Sequence, residues 1–391
     1  MKKLLVVLLA GMLALAFCAC GSEDGQGEAE GDNAEKMEAL NIEKIADYTY
    51  SIEFEDYDYD SMEVKLGEKF KGGGGCASVV NGDFFGRNLD WCYDDAAYFV
   101  VKTPATEDRH AVIGMAGLVN GLTADVVDSG EWNDNYEVVP FNLLDGINDQ
   151  GLTVNILVVP NGLYADTAGT NPEGEDLCAT RLVRTVLDYC STVDEAIELI
   201  KSSNIYAPHS DAMSQEFHWR IADGEKDVVI ELVNNEVKVI EDQPVVTNFF
   251  LWDYDGVNMP DNPEGIERFN ILKENYDTAS TKEGMIKLME SVNFSQTYDT
   301  SMVPFWYSEQ AIPEGCTSAD YGDPDLSDGD LSKAGKWEDL IAESLENYKA
   351  GRQSMGKGKA WITCYTTVFD MANKTMTVIP QETGEQYDFS L

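Results

Sequence analysis

The run "CASVVNGDFFGRNL", Cys76–Leu89, leaves the chain the least freedom. An Asn-Gly pair, Asn81-Gly82, sits between two apolar alternating runs, and such pairs supply the positive φ angles that tight hairpins need. Taken as a two-residue turn, it pairs Val80 with Asp83. Counting back, Val79 faces Phe84, Ser78 faces Phe85, Ala77 faces Gly86 and Cys76 faces Arg87. Directly opposed residues share a face of the sheet, so this register sets a guanidinium beside a thiol. A neighbouring cation favours the thiolate, which is the nucleophilic form. Asp90 follows three residues after Arg87, and strict alternation aims it at the other face. It joins the same site only if the strand bends or ends near Asn88.

Four glycines, Gly72–Gly75, run directly into Cys76. One reading is a flexible linker that ends in a buried, inert strand cysteine. The other is a cut between Gly75 and Cys76, where no side chain obstructs the peptide bond. A cut there would make Cys76 a chain terminus. A free α-amine titrates at about 7.7–8.0, which suits a general base held next to its own thiol. Composition alone leaves both readings open.

Elsewhere the pattern switches between strand and helix periods. "YTYSIEFEDY" puts Tyr48, Tyr50, Ile52 and Phe54 on one face, as a strand does. Strand runs follow in "CASVV", "DFFGRNL", "AYFVVKTPA", "HAVIGMAG" and "GLTVNILVVP". "DLCATRLVRTVLDYC" and "STVDEAIELIKSSN" read as helices, the second with Ser191 as N-cap. Strands return in "HWRIADGEKDVVIELVNNEVKVIE" and "PVVTNFF", then helices in "GIERFNILKENYD" and "TKEGMIKLMESV". An acidic loop, Asp320–Asp330, precedes the helix "KWEDLIAESLENYKA". "AWITCYTTVFDMANKTMTVIPQ" closes the chain as a hairpin turning near Asn373. Strands joined by hairpins and interleaved with helices predict an α+β fold, with helices covering two layers of mainly antiparallel sheet.

The N-terminus reads as an export signal. Lys2 and Lys3 precede an apolar run from Leu4 to Phe17, then small residues around cysteine. The run is short for a membrane span. "AFCACGS" resembles a bacterial lipoprotein lipobox, with Ala19 before Cys20 and Gly21-Ser22 after it. Phe17 stands where leucine is usual. Residues 1–19 are thus expected to be a signal peptide, with Cys20 lipidated and the protein held on the outer face of a bacterial membrane. The alternative is an ordinary signal peptide cut nearby. Residues 20–40 form an acidic tether rich in Gly, Glu and Ala.

With 71 acidic and 27 basic side chains, the net charge is −44. Such a surface repels nucleic acid and anionic membrane faces, so neither is an expected partner. Of eight cysteines, Cys18 falls in the signal and Cys20 takes lipid. With Cys76 reactive, five remain, so a fully paired disulfide framework is ruled out; Cys178 with Cys190 is one pairing left open. The three histidines are scattered and no zinc spacing occurs, so no metal is expected.

Taken together, "CASVVNGDFFGRNLDW" resembles the N-terminal nucleophile (Ntn) hydrolases of the choloylglycine hydrolase group. That group holds conjugated bile acid hydrolases and penicillin V acylases and is related to acid ceramidase and N-acylethanolamine acid amidase. The likeness continues in order through "DGINDQGLTVNILVVP", "CSTVDEAIELIKSSNI", "HWRIADGEKDVVIEL", "VVTNFF", "IERFNIL" and "WITCYTTVFDMANKTMTVIP". It implies an αββα sandwich over residues 76–391, with residues 41–75 as a pro-segment severed by self-cleavage between Gly75 and Cys76; its structured part, from about Asn41 to Lys71, is expected to stay docked by strand pairing. It also implies hydrolysis of a linear N-acyl amide through a thioester, without metal or organic cofactor.

In site terms, the resemblance implies that Cys76 is the nucleophile and that Arg87 and Asp90 stand beside it, with Asp90 holding the α-amine. Asn248 would donate to the oxyanion, and Arg268 would organise the site's charges. Val158 departs from the pattern, because the group often has Asn or Tyr there; a backbone N–H or Asn155 would have to serve instead. Plainer roles stand beside these: a strand-end cap for Asp90, a turn asparagine for Asn248, a helix-surface charge for Arg268 and a core or pocket-wall position for Trp91. A competing reading makes the chain an unprocessed surface lipoprotein that binds an acyl amide or lipid. Homo-oligomerisation is left open.

Overall fold

The computed structural model describes residues 33, 36–55, 76–92, 96–119, 121–159, 170–206, 216–233, 235–252, 263–293 and 361–391. The signal peptide, Cys20, the glycine run with Gly75, Cys316, the acidic loop and the helix expected after it lie outside the described residues.

Among the described residues seventeen strands are named in chain order. The first eight are β1 (Glu43–Ala46), β2 (Thr49–Glu53), β3 (Cys76–Asn81), β4 (Phe84–Cys92), β5 (Tyr98–Thr103), β6 (Val112–Gly117), β7 (Leu143–Asn148) and β8 (Thr153–Val159). After the short β9 (Asp176–Cys178) and β10 (Asn204–Tyr206) come β11 (Glu216–Ala222), β12 (Asp227–Val233), β13 (Glu236–Glu241) and β14 (Val245–Val246). The chain closes with β15 (Trp361–Asp370), β16 (Thr375–Pro380) and β17 (Tyr387–Ser390). Among the described residues, besides a helical stretch at 36–39, the α-helices are α1 (Ala124–Ser129), α2 (Leu182–Tyr189), α3 (Val193–Ser202), α4 (Pro263–Glu274) and α5 (Lys282–Glu290).

Two large sheets carry the fold. One runs β1-β2-β5-β6-β7-β8-β11-β12-β13 and the other β14-β3-β4-β15-β16-β17. Every pairing in them is antiparallel except β2 on β5. Helices α2 and α3 pack on the first sheet, α4 and α5 on the second, and the sheets meet through β3 against β8 and β16 against β7. The result is the expected four-layer αββα arrangement, each sheet hiding one face on the other and one under helices.

Glycines set how closely the layers approach. Gly114 and Gly146 oppose each other across β6 and β7. A Cβ at Gly146 would lie 2.8 Å from Leu187 Cδ1 of α2, and one at Gly86 of β4 would lie 2.6 Å from Met285 Sδ of α5. The helices therefore seat directly on backbone at these points.

Local expectations hold with small shifts. Tyr48, Tyr50, Ile52 and Phe54 are all buried, as their alternation requires. Helix α3 starts one residue later than expected: Thr192 is the N-cap, its side chain accepting from Glu195 N at 3.2 Å. Ser191 instead donates its backbone N–H to the Glu195 carboxylate at 2.7 Å, the returning half of a capping pair. Cys178 and Cys190 are free and buried, which closes the disulfide option between them.

The hairpin register differs from the expected one. The turn centre is Gly82-Asp83, with Gly82 at φ +58°, and Asn81 pairs with Phe84. Glycine at the first central position suits a type II′ turn. Asn81 is the last strand residue, and its side chain donates to Tyr276 O at 3.0 Å. Ser78 therefore faces Arg87, and Cys76 faces Leu89. The slip is two residues, and because side chains alternate with period two, Arg87 stays on the face that carries Cys76.

Gly114→Ala tests the close approach of β6 and β7. Its Cβ would collide with the Asp145 carbonyl oxygen and lie 2.9 Å from Gly146 Cα, both backbone atoms that cannot rotate away. A loss of about 1–3 kcal/mol is expected, read as an earlier urea midpoint with unchanged slope. An unchanged midpoint would mean that β7 yields freely.

Candidate active site

Cys76 opens β3, between β14 and β4. On one side, β14 pairs Val246 with Ser78, and continuing that register brings Asn248 opposite Cys76. Asn248 Oδ1 accepts the Cys76 backbone N–H at 2.5 Å. On the other side, Arg87 reaches diagonally across the hairpin, its Nη2 3.9 Å from Cys76 Sγ. Both side chains are buried.

The opposite wall is β8. Strand β7 pairs with β8 only from Thr153 to Asn155, so the backbone edge from Ile156 to Val158 has no strand partner on that side. Side chains of the site meet that edge. Arg87 Nη2 donates to Ile156 O at 3.4 Å, and Asn248 Nδ2 donates to Val158 O at 2.6 Å. The Val158 N–H is directed at the Cys76 sulfur and favours its thiolate. Asn155 does not reach this edge group: its pairing with both Asp145 and Arg220 keeps it inside the ladder.

Asp90 behaves as alternation requires. Along β4, Gly86 lies against α5 and Asn88 Nδ2 donates to Met289 O of α5 at 2.9 Å, so even positions face the helices. Asp90 follows them and meets Arg268 of α4, Nη1 to Oδ2 at 2.5 Å, while Thr363 Oγ1 donates to Oδ1 at 2.5 Å. The strand neither bends at Asn88 nor ends there; it continues to Cys92. The irregularity is in its partner, where a bulge at Cys364 separates Thr363, opposite Asp90, from Tyr365, opposite Leu89. Residues two apart normally share a face; with the bulge between them, Thr363 serves Asp90 on the helix side and Tyr365 serves Arg87 between the sheets.

In the uncut chain it is Asn248 that accepts the Cys76 N–H, while Asp90 is held by Thr363 and Arg268. Asn248 in turn has its amide on the Val158 carbonyl, so in this state it braces the site. Arg268 is 2% exposed, which removes the helix-surface reading, and Asp90 is a fully buried ion-pair partner, which removes the cap reading. Trp91 lines the cavity at Cys76, as a pocket wall would.

Sequence reading did not pick out two members of the site. Asp145 of β7 lies 3.3 Å from Arg87 Nη1, and Tyr365 of β15 donates to Asp145 Oδ2 at 2.9 Å while accepting from Arg87 Nη1 at 3.0 Å. The Arg87 guanidinium also lies 5.3 Å from the Tyr365 ring centre. Asp145 stands in the "DGIN" run, but nothing in that run points to Arg87; only the stacking of the two sheets brings them together.

Burial decides the protonation states. It pushes the Cys76 thiol up; Arg87, the Val158 N–H and Arg268 pull it down without winning, so the thiol is neutral here. Arg87 does favour the thiolate, as its position predicts, but burial outweighs it. Burial likewise raises Asp90 against the pull of Arg268. Asp145 is lifted by burial to about 6, with Arg87 and Tyr365 opposing the rise, so it is ionised at neutral pH. Tyr365 is driven far up by burial and stays a neutral phenol.

Beside Cys76 lies a pocket that opens to solvent. Leu89, Trp91, Leu118, Leu144, Ile156 and Phe217 are among its lining residues, and Arg87 and Asp90 also line it. Among the described residues no cluster of metal-ligating side chains occurs. An apolar pocket beside a thiol, with N–H groups converging on the sulfur, suits acyl transfer to sulfur.

The loop that carries Asn248 is locked from behind. The buried Glu231 accepts Leu251 N at 2.8 Å, Trp252 N at 3.0 Å and His218 Nδ1 at 3.1 Å. Glu231→Ala should cost about 1–3 kcal/mol for each amide left without an acceptor. Hydrogen exchange at residues 247–252 should rise beyond that of the sheet around it. Wild-type exchange there would show that the loop holds Asn248 without Glu231.

Residues 80–281 match the family model described as linear amide C–N hydrolases, choloylglycine hydrolase family. No curated protein sequence matches the chain. Among solved structures, it is similar to a mutant conjugated bile acid hydrolase from Clostridium perfringens: 15% identity, 81% of this chain and 92% of that one covered, TM-score 0.45. It is also similar to a penicillin V acylase from Agrobacterium tumefaciens: 13% identity, 81% and 86% covered, TM-score 0.45. The family match spans more than half of the chain and takes in Arg87, Asp90, Asn248 and Arg268, so this protein belongs to the choloylglycine hydrolase family of linear amide C–N hydrolases.

Proposed function

We propose that the protein is an exported, lipid-anchored amidase that cleaves N-acyl amides with an apolar acyl group, using Cys76 as nucleophile once self-cleavage has exposed its α-amine. The observation that carries this reading is the placement of Cys76 Sγ beside an apolar pocket, 3.9 Å from Arg87 and under the Val158 N–H.

In the uncut chain the nitrogen of Cys76 is a peptide amide and cannot take a proton. The thiol, raised by burial, then has no base. Cleavage between Gly75 and Cys76 turns that nitrogen into an amine, still within reach of Asn248 Oδ1. The amine accepts the thiol proton as sulfur attacks the substrate carbonyl, and returns it to the leaving amine. Water then hydrolyses the thioester. The Val158 N–H takes the place of the side-chain donor that valine lacks and receives the developing oxyanion. Asp90, paired with Arg268, fixes the negative end of the site, and Arg87 supplies the positive end.

The apolar lining favours a hydrocarbon-rich acyl group over a charged one, since a buried charge there would lack a partner. Bile acid conjugates, penicillin V, acyl homoserine lactones and N-acyl amines all satisfy that chemistry. A protein cut before Cys76 would also stay attached to its anchor at Cys20. Strand β2 lies beside β5 in register from Thr49 with Tyr98 to Glu53 with Lys102, and Ile52 and Phe54 are buried. Each such side chain is worth about 1.5–3 kcal/mol, so the N-terminal piece remains docked without a covalent link.

Intact mass and N-terminal sequencing of the purified protein should give two chains, the second starting at Cys76, that co-elute on gel filtration. Ile52→Asp should let them separate. Cys76→Ala should fold, stay uncut and hydrolyse nothing. A single uncut chain with full amidase activity would sink the proposal; an uncut, inactive chain that binds acyl amides would favour a surface binding protein instead.

A further inference from the structure

We propose that Asp145 is a positioning residue: through Tyr365 it holds the Arg87 guanidinium against Cys76 and sets how much of that positive charge the sulfur feels. The inference rests on Cys76 being the nucleophile.

The geometry divides Arg87 into two ends. Nη1 is held by Tyr365 Oη at 3.0 Å and faces Asp145 Oδ2 at 3.3 Å; Nη2 faces Ile156 O at 3.4 Å and Cys76 Sγ at 3.9 Å. A guanidinium is planar and rigid, so fixing one nitrogen fixes the other. Asp145 is anchored in turn, with Tyr365 Oη donating to it at 2.9 Å and Thr367 opposing its protonation.

The charges around the sulfur are two cations and two acids. Arg87 and Asp90 come from β4, Arg268 from α4 and Asp145 from β7, with the phenol of Tyr365 between Arg87 and Asp145. Asp90 is taken by Arg268 at 2.5 Å. Asp145 is therefore the carboxylate that neutralises Arg87. It stands on the far side of the guanidinium from the sulfur and on the other sheet. With its charge removed, Arg87 keeps a full positive charge buried beside Cys76, and the thiolate becomes its nearest anion. The sulfur should ionise more easily while the guanidinium loses its anchor. Reactivity toward a simple electrophile and catalytic turnover should then move in opposite directions, which a general loosening of the core would not produce.

The test uses full-length Asp145→Asn, Asp145→Glu and Tyr365→Phe proteins, with melting curves to establish folding. The probe is iodoacetamide, followed at Cys76 by peptide mass mapping from pH 6 to 10. This readout needs no amidase substrate, so it decides the inference even if amide turnover is never found. Asp145→Asn should speed alkylation at pH 7 by about tenfold, the effect of a one-unit fall in the thiol titration. Where a straight-chain N-acyl anilide is turned over, its kcat should drop by about tenfold or more with KM little changed. Asp145→Glu should bring the alkylation profile back toward wild type. Tyr365→Phe, which keeps the carboxylate, should leave alkylation near wild type and lower kcat severalfold. A folded Asp145→Asn protein with the wild-type alkylation profile overturns the proposal. Should that variant not fold, wild-type kcat in Tyr365→Phe, or an alkylation profile changed by it, overturns the proposal instead.

Discussion

Arg87 is a full positive charge, entirely buried between two β-sheets, and the site is arranged around that constraint. A guanidinium so placed needs acceptors, since each N–H left alone carries a desolvation cost; both Nη groups find them, and Nε has none among the described residues. The acceptors come from four different places in the chain: Tyr365 and Asp145 at one end, the Ile156 carbonyl and the Cys76 sulfur at the other. Arg87 itself is held strongly protonated, because these oxygens and the sulfur more than offset its burial. The cost of burying the cation is thus met equally from both sheets, by Cys76 and Tyr365 of its own and by Asp145 and Ile156 of the other. This gives the two sheets a polar fastening at the point where chemistry is placed.

Two departures from regular β-structure make room for this arrangement. One is the bulge at Cys364, which turns Thr363 to Asp90 and Tyr365 to Arg87 although only one residue separates them. The other is the early parting of β7 from β8, which exposes the Ile156–Val158 edge to Arg87, Asn248 and Cys76. A regular ladder at either position would satisfy the same backbone groups internally and leave no site. Irregular pairing next to functional groups is where β-sheets commonly re-aim their side chains.

Much of the fold was legible in sequence because its signals are local: apolar alternation, helix periodicity, and turn residues. The face on which Arg87 lies was legible too, and it survived a register error of two residues because alternation has period two. The turn itself was misplaced because Asn81, a strong turn former, is recruited by Tyr276 as a strand-end residue. Asp145 and Tyr365 were not legible as neighbours of Arg87. Tyr365 reaches Arg87 through the long-range pairing of β15 with β4, and Asp145 only when the other sheet is laid on top. The choice of Asn248 over Asp90 as holder of the Cys76 nitrogen has the same origin. Asp90 lies on the helix-facing side, and what helix α4 presents there is a tertiary fact.

The position of the N-terminal hairpin bears on how cleavage and catalysis fit together. Strand β2 reaches the nine-stranded sheet in parallel with β5, before the chain crosses to the other sheet to begin β3 at Cys76. Residues on both sides of the expected cut are thus fixed in different sheets, and the twenty residues from 56 to 75 link them. A cut at Gly75–Cys76 breaks that link while leaving both ladders intact. The new amine stays where Asn248 Oδ1 already accepts the amide N–H. Cleavage in this geometry would alter the chemistry of one nitrogen without requiring any described strand to move, and the neutral buried thiol would gain a base.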